Sequence, residues 1–494
     1  MKFTFRNSSR TRAYQMLAVA LLAAAPVLAG NNGERGKPVL IKAAEIHIGD
    51  GRVVTDGAIL VQGGKIVAVG PGITVPDDAK VVDMGDSAVT PGLIDANVVL
   101  EPDDIVTRSP RSARQVVHDI FCPQHRHNPV VGCCGSLCSN SEAHVTGQSC
   151  PQCGFPDVPL DLDMAVGVRR RADRAEHASE VVPYTRIIDS VNLRSPDLGR
   201  LLEGGVTTVF VTPDSASVIS SQGAVVHTGG PMNKRVVREA DAVKAALGRD
   251  PINRGRRNSV PFRKAVTFHS RRPTTRMGVT WVFRKAMHDT KRFMNGLDVY
   301  GADAPTPQAM KVLARVFEKE VPLRIQAREQ RDILTALRLS EEFELPFVLE
   351  EGTEAYLCAN ELKSANVPVI YGPILDRRLG FRGIGGEGDD AKLTAVNTLI
   401  NAGIQTALTA NDLRDEAGLA RQAMCAIRYG VKEEDAIRSV TLTPAKILGL
   451  DKTLGSIETG KQADLVVWSG KPFSATAVPT LVLIDGEIVI DRRG

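Results

Sequence analysis

The chain has 494 residues, of which 43% are hydrophobic and 24% charged, a composition that supports one large or two smaller buried cores and excludes a disordered tail. Lys and Arg total 61 against 57 Asp and Glu, which gives a formal net charge of +4. A nearly neutral chain without an apolar run of about 18 residues lacks the features of general nucleic-acid-binding proteins and of membrane-spanning ones.

The first 29 residues have the three parts of an export signal. Basic residues come first, an apolar run follows from Met16 to Ala25, and the sequence Val27-Leu28-Ala29 ends the segment. A short membrane anchor is the alternative, but the run is short for the ~30 Å hydrocarbon core, and a polar segment follows it. We therefore expect cleavage near Ala29 and a periplasmic or secreted protein.

Short β-branched runs separated by Gly and Asp fill residues 39–89, as in a series of hairpins. The same pattern returns only at the far end of the chain, at 463–468 and 480–484. The pattern predicts that the two ends share one sheet, in a composite β-sandwich domain built from residues 38–90 and 451–494.

Between the two ends, short apolar strands alternate with helical runs, which is typical of a parallel sheet or barrel. The predicted strands are 206–212, 323–327, 347–350, 367–371 and 405–409. The predicted helices are 332–343, 353–365, 393–402, 419–429 and 433–448. The fold class is therefore α/β, with a (β/α)8 TIM-like barrel over residues 91–450 and a doubly wound sheet as the alternative.

Segments spread over most of residues 38–494 carry a resemblance to one family of enzymes. They include Pro91-Gly92-Leu93-Ile94-Asp95, Gly205-Val206-Thr207-Thr208-Val209, the run 322–373 and the exit sequence 443–468. They resemble the amidohydrolase superfamily, in its imidazolonepropionase-like branch. The resemblance implies a barrel enzyme that hydrolyses C–N bonds, such as those of cyclic amides, with one or two divalent ions that activate a water.

The metal ligands of that superfamily are largely replaced in this chain. The family has a His-x-His pair on strand 1, a His on strand 5, a His on strand 6 and an Asp on strand 8. The matching positions are Asn97, Val99, Gln326, Glu351 and Asn411. All nine histidines precede residue 289, so the 206 residues from 289 to 494 cannot supply imidazole. We therefore expect no catalytic metal in the barrel.

Carboxylates at two of these strand ends are the candidate catalytic residues. Glu351 takes the strand-6 position, and Asp412 takes the strand-8 position if the register shifts by one residue. Together they could perform metal-free acid–base chemistry or hold a hard cation through oxygen ligands. The alternative is that these acids are solvated or paired with Arg.

Three further residues are candidates for ligand binding. Residues 249–292 hold thirteen Lys or Arg against two acids, and Arg263 and Arg276 in this segment could grip an anion. His227 lies in a loop that resembles one near the family's active site. The alternatives are a solvated basic face and a hydrogen-bonded structural histidine, and both are favoured by general experience of such features.

Six of the eight cysteines fall in a Cys/His-rich insertion at residues 118–156. Two knuckle-like pairs predict a structural zinc site formed by Cys122, His125, Cys150 and Cys153. A second ion could use His127, Cys133, Cys134, Cys138 and His144. Disulfides are the alternative, because export places the chain in an oxidising compartment.

The sequence therefore predicts an exported amidohydrolase-like protein, by descent a hydrolase of cyclic amide or similar C–N bonds, that lacks the standard metal-hydroxide mechanism. One alternative is a noncatalytic binding or assembly protein that uses the barrel mouth or the zinc-knuckle insertion. Another is a hydrolase with a rebuilt carboxylate site. The expected partner is a small molecule of unspecified structure, without nucleic acid or a membrane span, and the sequence leaves the oligomeric state open.

Overall fold

The computed structural model describes residues 37–100, 179–252, 273–301, 303–374, 387, 391–411, 413–414 and 418–493. The predicted export signal, the Cys/His-rich insertion, Arg263 and Asp412 lie outside the described residues. None of the described helices combines the length and apolar composition that crossing a bilayer requires.

The secondary structure is a mixture of short strands and helices. The described strands, in chain order, are β1 Val39–His47, β2 Val53–Gln62, β3 Lys65–Gly70, β4 Lys80–Asp83, β5 Ala88–Pro91, β6 Leu93–Val98, β7 Val206–Val211, β8 Ile219–Gln222, β9 Ala224–His227, β10 Val236–Arg238, β11 Val243–Ala246, β12 Leu323–Gln326, β13 Phe347–Glu350, β14 Val369–Tyr371, β15 Thr406–Leu408, β16 Leu465–Trp468, β17 Pro479–Ile484 and β18 Glu487–Asp491. The described α-helices are α1 Pro196–Glu203, α2 Arg276–Met294, α3 Pro307–Phe317, α4 Gln330–Phe343, α5 Ala359–Ser364, α6 Ala395–Asn401, α7 Leu419–Arg428, α8 Glu433–Ser439 and α9 Leu442–Ile447.

Strands from both ends of the chain form one eight-stranded sheet. Its order is β18-β17-β16-β5-β1-β2-β3, with β4 paired to β1. The hairpin between β2 and β3 turns at Gly63 and Gly64, whose φ angles of 58° and 80° belong to the left-handed region that a two-residue hairpin turn needs. The central strand β16 places Trp468 in the interior, where its indole Nε1 donates to Thr90 Oγ1 at 3.0 Å. The sheet is therefore held together by pairing between distant parts of the sequence.

The rest of the described chain has a mixed α/β arrangement with two further sheets. Their orders are β10-β9-β7-β6 and β15-β14-β13-β12-β11-β8, and the pairs from β11 to β15 are all parallel. These strands are short, apolar and mostly buried, as expected of parallel strands covered by helices. Because they are parallel, β12, β13, β14 and β15 end at the same edge, and the candidate functional residues follow directly after them.

Helix ends show how local sequence sets the boundaries. Thr275 accepts a hydrogen bond from Gly278 N at 3.1 Å and begins α2, as a side-chain N-cap does. The single helix predicted over 433–448 is instead two helices, α8 and α9. The chain breaks at Val440, because the helical partner of its carbonyl would be the N–H of residue 444, and Pro444 has none. Ile94 N of β6 donates to that carbonyl instead, at 2.8 Å.

Candidate functional site

Polar residues from distant parts of the chain meet where the strands of the two α/β sheets end. Asn97 lies in β6, Gln326 ends β12, Glu351 follows β13, and Asn411 follows β15. All four are at least nine-tenths buried. With Arg328, Asp250 and Glu387, whose contacts are given below, they form what we call the strand-end cluster.

Glu351 is the centre of the strand-end cluster. Its Oε2 accepts from Arg328 through Nε at 2.9 Å and Nη2 at 2.6 Å. Its Oε1 accepts from Asn411 Nδ2 at 3.1 Å, and Gln326 Nε2 is 3.5 Å from Oε2. Two residues that the sequence analysis assigned to metal-ligand positions, Gln326 and Asn411, therefore donate amide hydrogens to a third, the Glu351 carboxylate.

The backbone is strained at two of these positions. Glu351 and Asn411 have φ angles of 55° and 56°, in the left-handed region that few residues other than Gly adopt. Such a conformation costs about 1–3 kcal/mol for a non-Gly residue. Hydrogen bonds hold both in place, since Glu351 N donates to Ile370 O at 2.9 Å and Asn411 N donates to Thr409 Oγ1 at 2.9 Å. Strain of this kind is concentrated at functional sites.

Arg328 provides the positive charge of the cluster. Besides Glu351, its guanidinium contacts Glu387 Oε2 through Nη1 at 3.2 Å and Asp250 Oδ2 through Nη2 at 2.9 Å. Burial acts to lower the pKa of Arg328, but Asp250 and Glu351 outweigh it and raise the pKa well above its usual value. Arg328 therefore stays protonated and neutralises carboxylates from three separate segments.

Arg276 forms a second arm of the same network. Its Nε donates to Asp332 Oδ1 at 2.9 Å, while Nη2 lies 2.9 Å from Glu387 Oε1 and 3.0 Å from Glu329 Oε1. Burial is the main cause that raises the pKa of Glu387, and the nearby Asp250 adds to it. Arg328 and Arg276 act in the opposite direction. Glu387 thus joins the Arg276 arm to the Arg328 arm.

A charged triad lies beside the cluster in the interior. Glu350 is 3.0 Å from Lys244 Nζ and 2.5 Å from Arg324 Nε, and all three side chains are at most 2% exposed. The Arg324 guanidinium also sits 3.8 Å from the centre of the Phe210 ring. Burial acts to raise the pKa of Glu350, but Lys244 and Arg324 prevail and lower it. The triad ties β11, β12 and β13 together below the strand ends.

The residues of the cluster do not fit the divalent metal that the family resemblance implies. Three of the five positions carry neutral amide side chains, namely Asn97, Gln326 and Asn411, and a fourth, Val99, has no side-chain ligand atom. The carboxylate of Glu351 is already engaged by the Arg328 guanidinium at 2.6 Å, where a cationic metal would have to lie. Catalytic zinc uses imidazole and free carboxylate ligands, which this arrangement lacks. A guanidinium is the cation that these residues hold.

Other acidic groups nearby are also engaged. Glu329, Asp332 and Glu387 bring one oxygen each within 4.8 Å of one another, which is the sole such grouping of possible metal ligands among the described residues. The Arg276 guanidinium contacts all three. This arginine therefore takes the place that a cation would occupy, and the anion-binding role predicted for Arg276 stays a prediction without support from its contacts.

His227 lies apart from the strand-end cluster. Its Nδ1 is 3.0 Å from Thr208 Oγ1 and 3.8 Å from Asp464 Oδ2. Asp464 in turn accepts from Gly92 N through its backbone carbonyl at 2.8 Å, so His227 is near the beginning of β6 and not near its end. Its predicted ligand-binding role is untested, and the position favours the structural alternative.

Sequence reasoning missed the arginine at the centre of the site. Arg328 is two residues beyond Gln326, on the same side of an extended segment, and that spacing was the available signal. Its partners Asp250 and Glu387 had no comparable signal, because they lie 78 and 59 residues away in regions without a periodic pattern.

Comparisons with known proteins define the class. An amidohydrolase from Thermotoga maritima MSB8 is 30% identical, with a TM-score of 0.68, over 92% of this chain and 100% of its own. The amidohydrolase family model matches residues 390–489. The chain belongs to the amidohydrolase family.

Two more distant relatives agree with this class. Amidohydrolase tasK of Hapsidospora irregularis is 24% identical over 347 residues, which are 66% of this chain and 34% of that protein. The chain thus spans about a third of the length of this curated relative. The structure of a molinate hydrolase, at 15% identity, covers 92% of this chain and 95% of its own with a TM-score of 0.50, which shows a shared fold.

Proposed function

We propose that the two α/β sheets close into one (β/α)8 barrel beside the composite β-sheet. Hydrogen bonds at both seams support this arrangement. At one, Thr409 Oγ1 donates to Asn97 O at 2.9 Å. At the other, β8 of one sheet continues into β9 of the other through Gly223, whose N donates to Ala242 O at 2.9 Å. The strand-end cluster then lies at the C-terminal mouth of the barrel, where enzymes of this architecture place their active sites.

The protein is proposed to be an amidohydrolase-like protein whose barrel mouth carries a guanidinium–carboxylate network in place of a metal centre. The observation that carries this proposal is the pairing of Glu351 with Arg328 at 2.6 Å and with Asn411 at 3.1 Å. Family membership supports descent from hydrolases of C–N bonds. Without a metal-bound hydroxide, the standard hydrolytic step has no nucleophile.

Glu351 is a poor candidate for a rebuilt acid–base site. A general base must present a free lone pair to the proton that it removes. The Arg328 guanidinium holds Oε2 of Glu351, Asn411 donates to Oε1, and the side chain is only 5% exposed, so a substrate proton has little access to either oxygen. We therefore propose an amidohydrolase-like protein without the standard mechanism in preference to a hydrolase with a rebuilt carboxylate site.

An activity comparison tests the proposal. The purified chain is assayed against a panel of cyclic amides with added Zn²⁺ or Mn²⁺ and again with a chelator. We expect no metal-dependent turnover from the native chain. Chelator-sensitive turnover that Glu351→Gln abolishes, and that Glu341→Gln on the exposed face of α4 leaves unchanged, would contradict the proposal.

Export and a zinc-stabilised insertion complete the proposal. Both rest on sequence patterns, the export signal before residue 30 and the Cys/His spacing at 122–153. Fractionation of cells that express the full chain tests export. Recovery of the unprocessed chain in the cytoplasm alone would contradict it.

A further inference from the structure

A cavity that shares no lining residue with the strand-end cluster has an acidic lining. It has a volume of about 350 Å³ and lies among β1, β2, β5, the beginning of α8 and the loop after β16. Its charged and titratable lining residues are Glu45, His47, Asp86, Glu433, Glu434 and Lys471. None of them belongs to the strand-end cluster. We call this space the acidic cavity.

The charges around the acidic cavity do not cancel. Four lining residues are carboxylates and one is an ammonium, Lys471, whose Nζ is 2.6 Å from Glu433 Oε2. Burial lowers the pKa of His47, although Glu45 and Glu433 act in the opposite direction, so the imidazole adds no compensating positive charge at neutral pH. The cavity therefore has a negative potential that attracts cations.

Two buried polar atoms at this cavity have no hydrogen-bond partner. One is Oε1 of Glu433, whose other oxygen is bound by Lys471. The other is Nε2 of His47, a residue that is 6% exposed. A carboxylate oxygen of Glu45 lies 3.4 Å from this nitrogen, but the contact does not meet hydrogen-bond geometry. Leaving such a group unsatisfied costs about 1–3 kcal/mol, so a donor from a ligand would be favourable here.

The spacing of these acceptors favours an organic cation over a metal ion. A divalent ion needs several ligand atoms at about 2.0–2.6 Å from one point. The acids and the histidine of this cavity do not provide three ligand atoms within 4.8 Å of one another. A flexible molecule with two ammonium groups can instead reach separate carboxylates, and pockets of about 300 Å³ or more accommodate small ligands.

We propose that the acidic cavity binds a small organic dication of the α,ω-diamine class. One ammonium group lies beside Glu433 and His47 at the buried end of the cavity, where a small movement of the Glu433 side chain lets its Oε1 accept from the ligand. The other lies near Asp86 or Glu45, which are more exposed. Lys471 competes for Glu433, because its ammonium already holds one of the two oxygens.

Calorimetric titration of the full chain with putrescine, a four-carbon diamine, tests this proposal near neutral pH and at low salt. Butylamine, with the same chain and one ammonium, should bind at least about fivefold more weakly, as expected for the loss of one partly exposed ion pair. Equal affinity for the two amines, or no heat with either, would overturn the proposal. Saturable Mg²⁺ binding that Glu433→Gln removes would also overturn it, in favour of a metal site.

Two substitutions with opposite expected effects identify the site. Glu433→Gln should weaken putrescine binding about fivefold, whereas Lys471→Gln should strengthen it, since the competing ammonium is gone. The matched control is Glu361→Gln, an exposed acid on α5 away from the cavity, which should leave the affinity unchanged. If Glu433→Gln does not fold, Asp86→Asn replaces it with the same expected direction. Equal effects of the cavity and control variants would show nonspecific binding and refute the assignment.

Discussion

Replacement of Arg328 by Met removes the positive charge from the strand-end cluster and keeps a side chain of similar length. The guanidinium makes two contacts with Glu351, at 2.9 and 2.6 Å, one with Glu387 at 3.2 Å and one with Asp250 at 2.9 Å. Its own side chain is 12% exposed, and Glu351 and Glu387 are each 5% exposed. Without this cation, the negative charges of the buried carboxylates are less completely neutralised.

The magnitude follows from this burial. Removing one partner of a buried ion pair costs about 3–5 kcal/mol, because the remaining charge is uncompensated. Asp250 is 35% exposed, so the loss of its ion pair with Arg328 contributes at most about 1 kcal/mol to this cost. We expect Arg328→Met to lower the free energy of unfolding by about 3–5 kcal/mol in total.

Urea unfolding followed by circular dichroism measures the effect, with Arg331→Met as the matched control. Arg331 is 61% exposed and pairs with Glu329, so the same substitution there should cost at most about 1 kcal/mol. The difference between the two variants is the quantity of interest, since it cancels general effects of an Arg-to-Met change.

The cost of Arg328→Met should depend on pH. A buried carboxylate that has lost its cation has a raised pKa in the folded state. Its contribution to the free energy of unfolding is therefore full below the ordinary pKa and is lost as the pH rises through the raised value. Glu387 keeps the Arg276 guanidinium, so the effect comes mainly from Glu351. The stability gap to the native chain should therefore shrink as the pH falls from about 8 to about 5. A loss no larger than that of Arg331→Met at every pH would refute the account of the cluster.

Three further predictions concern other parts of the chain. Burial raises the pKa of Asp464, opposed by His227, so its contribution to stability is full below its ordinary value of 3.8 and is lost as the pH rises through the raised pKa. The stability of Asp464→Asn relative to the native chain should therefore increase as the pH rises, which urea unfolding over a pH series will measure. A difference between the two urea midpoints that stays constant with pH would contradict this prediction. Thr90→Val removes the acceptor that lies 3.0 Å from the buried indole N–H of Trp468, and it should lower the free energy of unfolding by about 1–3 kcal/mol in the same assay. An unchanged urea midpoint would mean that another acceptor replaces Thr90. Elemental analysis and intact mass under nonreducing conditions should find about one or two zinc ions per chain, and a chelator should then free the thiols of Cys150 and Cys153. A mass lowered by paired hydrogens, without zinc, would indicate disulfides instead.

Local patterns were sufficient for the strands and helices of the parallel part. The run 347–350 was predicted as a strand and is β13, because a short apolar run bounded by turn residues is typical of a buried strand. The predicted helix 332–343 corresponds to α4, which begins at Gln330. The break between α8 and α9 was missed although Pro444 was a local signal for it, since proline cannot donate to the carbonyl of Val440. That Ile94 of β6 would donate to this carbonyl instead is a property of the fold.

The candidate site was predictable only where the family resemblance located it. Gln326, Glu351 and Asn411 were assigned to ligand positions by that resemblance alone, which stays a prediction, and the structure brings the three into hydrogen-bond contact. Pairing of Glu351 with an arginine was the alternative that the sequence left open, and it is the one observed. That the arginine would be Arg328 was not predicted, because an arginine at a strand end is ordinarily solvated. Which of the many acids would reach Arg328 is a property of the folded chain alone.

The central claim is that a guanidinium occupies the place of the catalytic metal, and one crystallographic measurement tests it directly. Crystals of the full chain are soaked in Zn²⁺ and the ions are located by anomalous scattering. The account predicts no ion bonded to Glu351, with the Arg328 guanidinium still in contact with that carboxylate. A zinc ion at about 2.0–2.2 Å from a Glu351 oxygen, with Arg328 displaced, would contradict it.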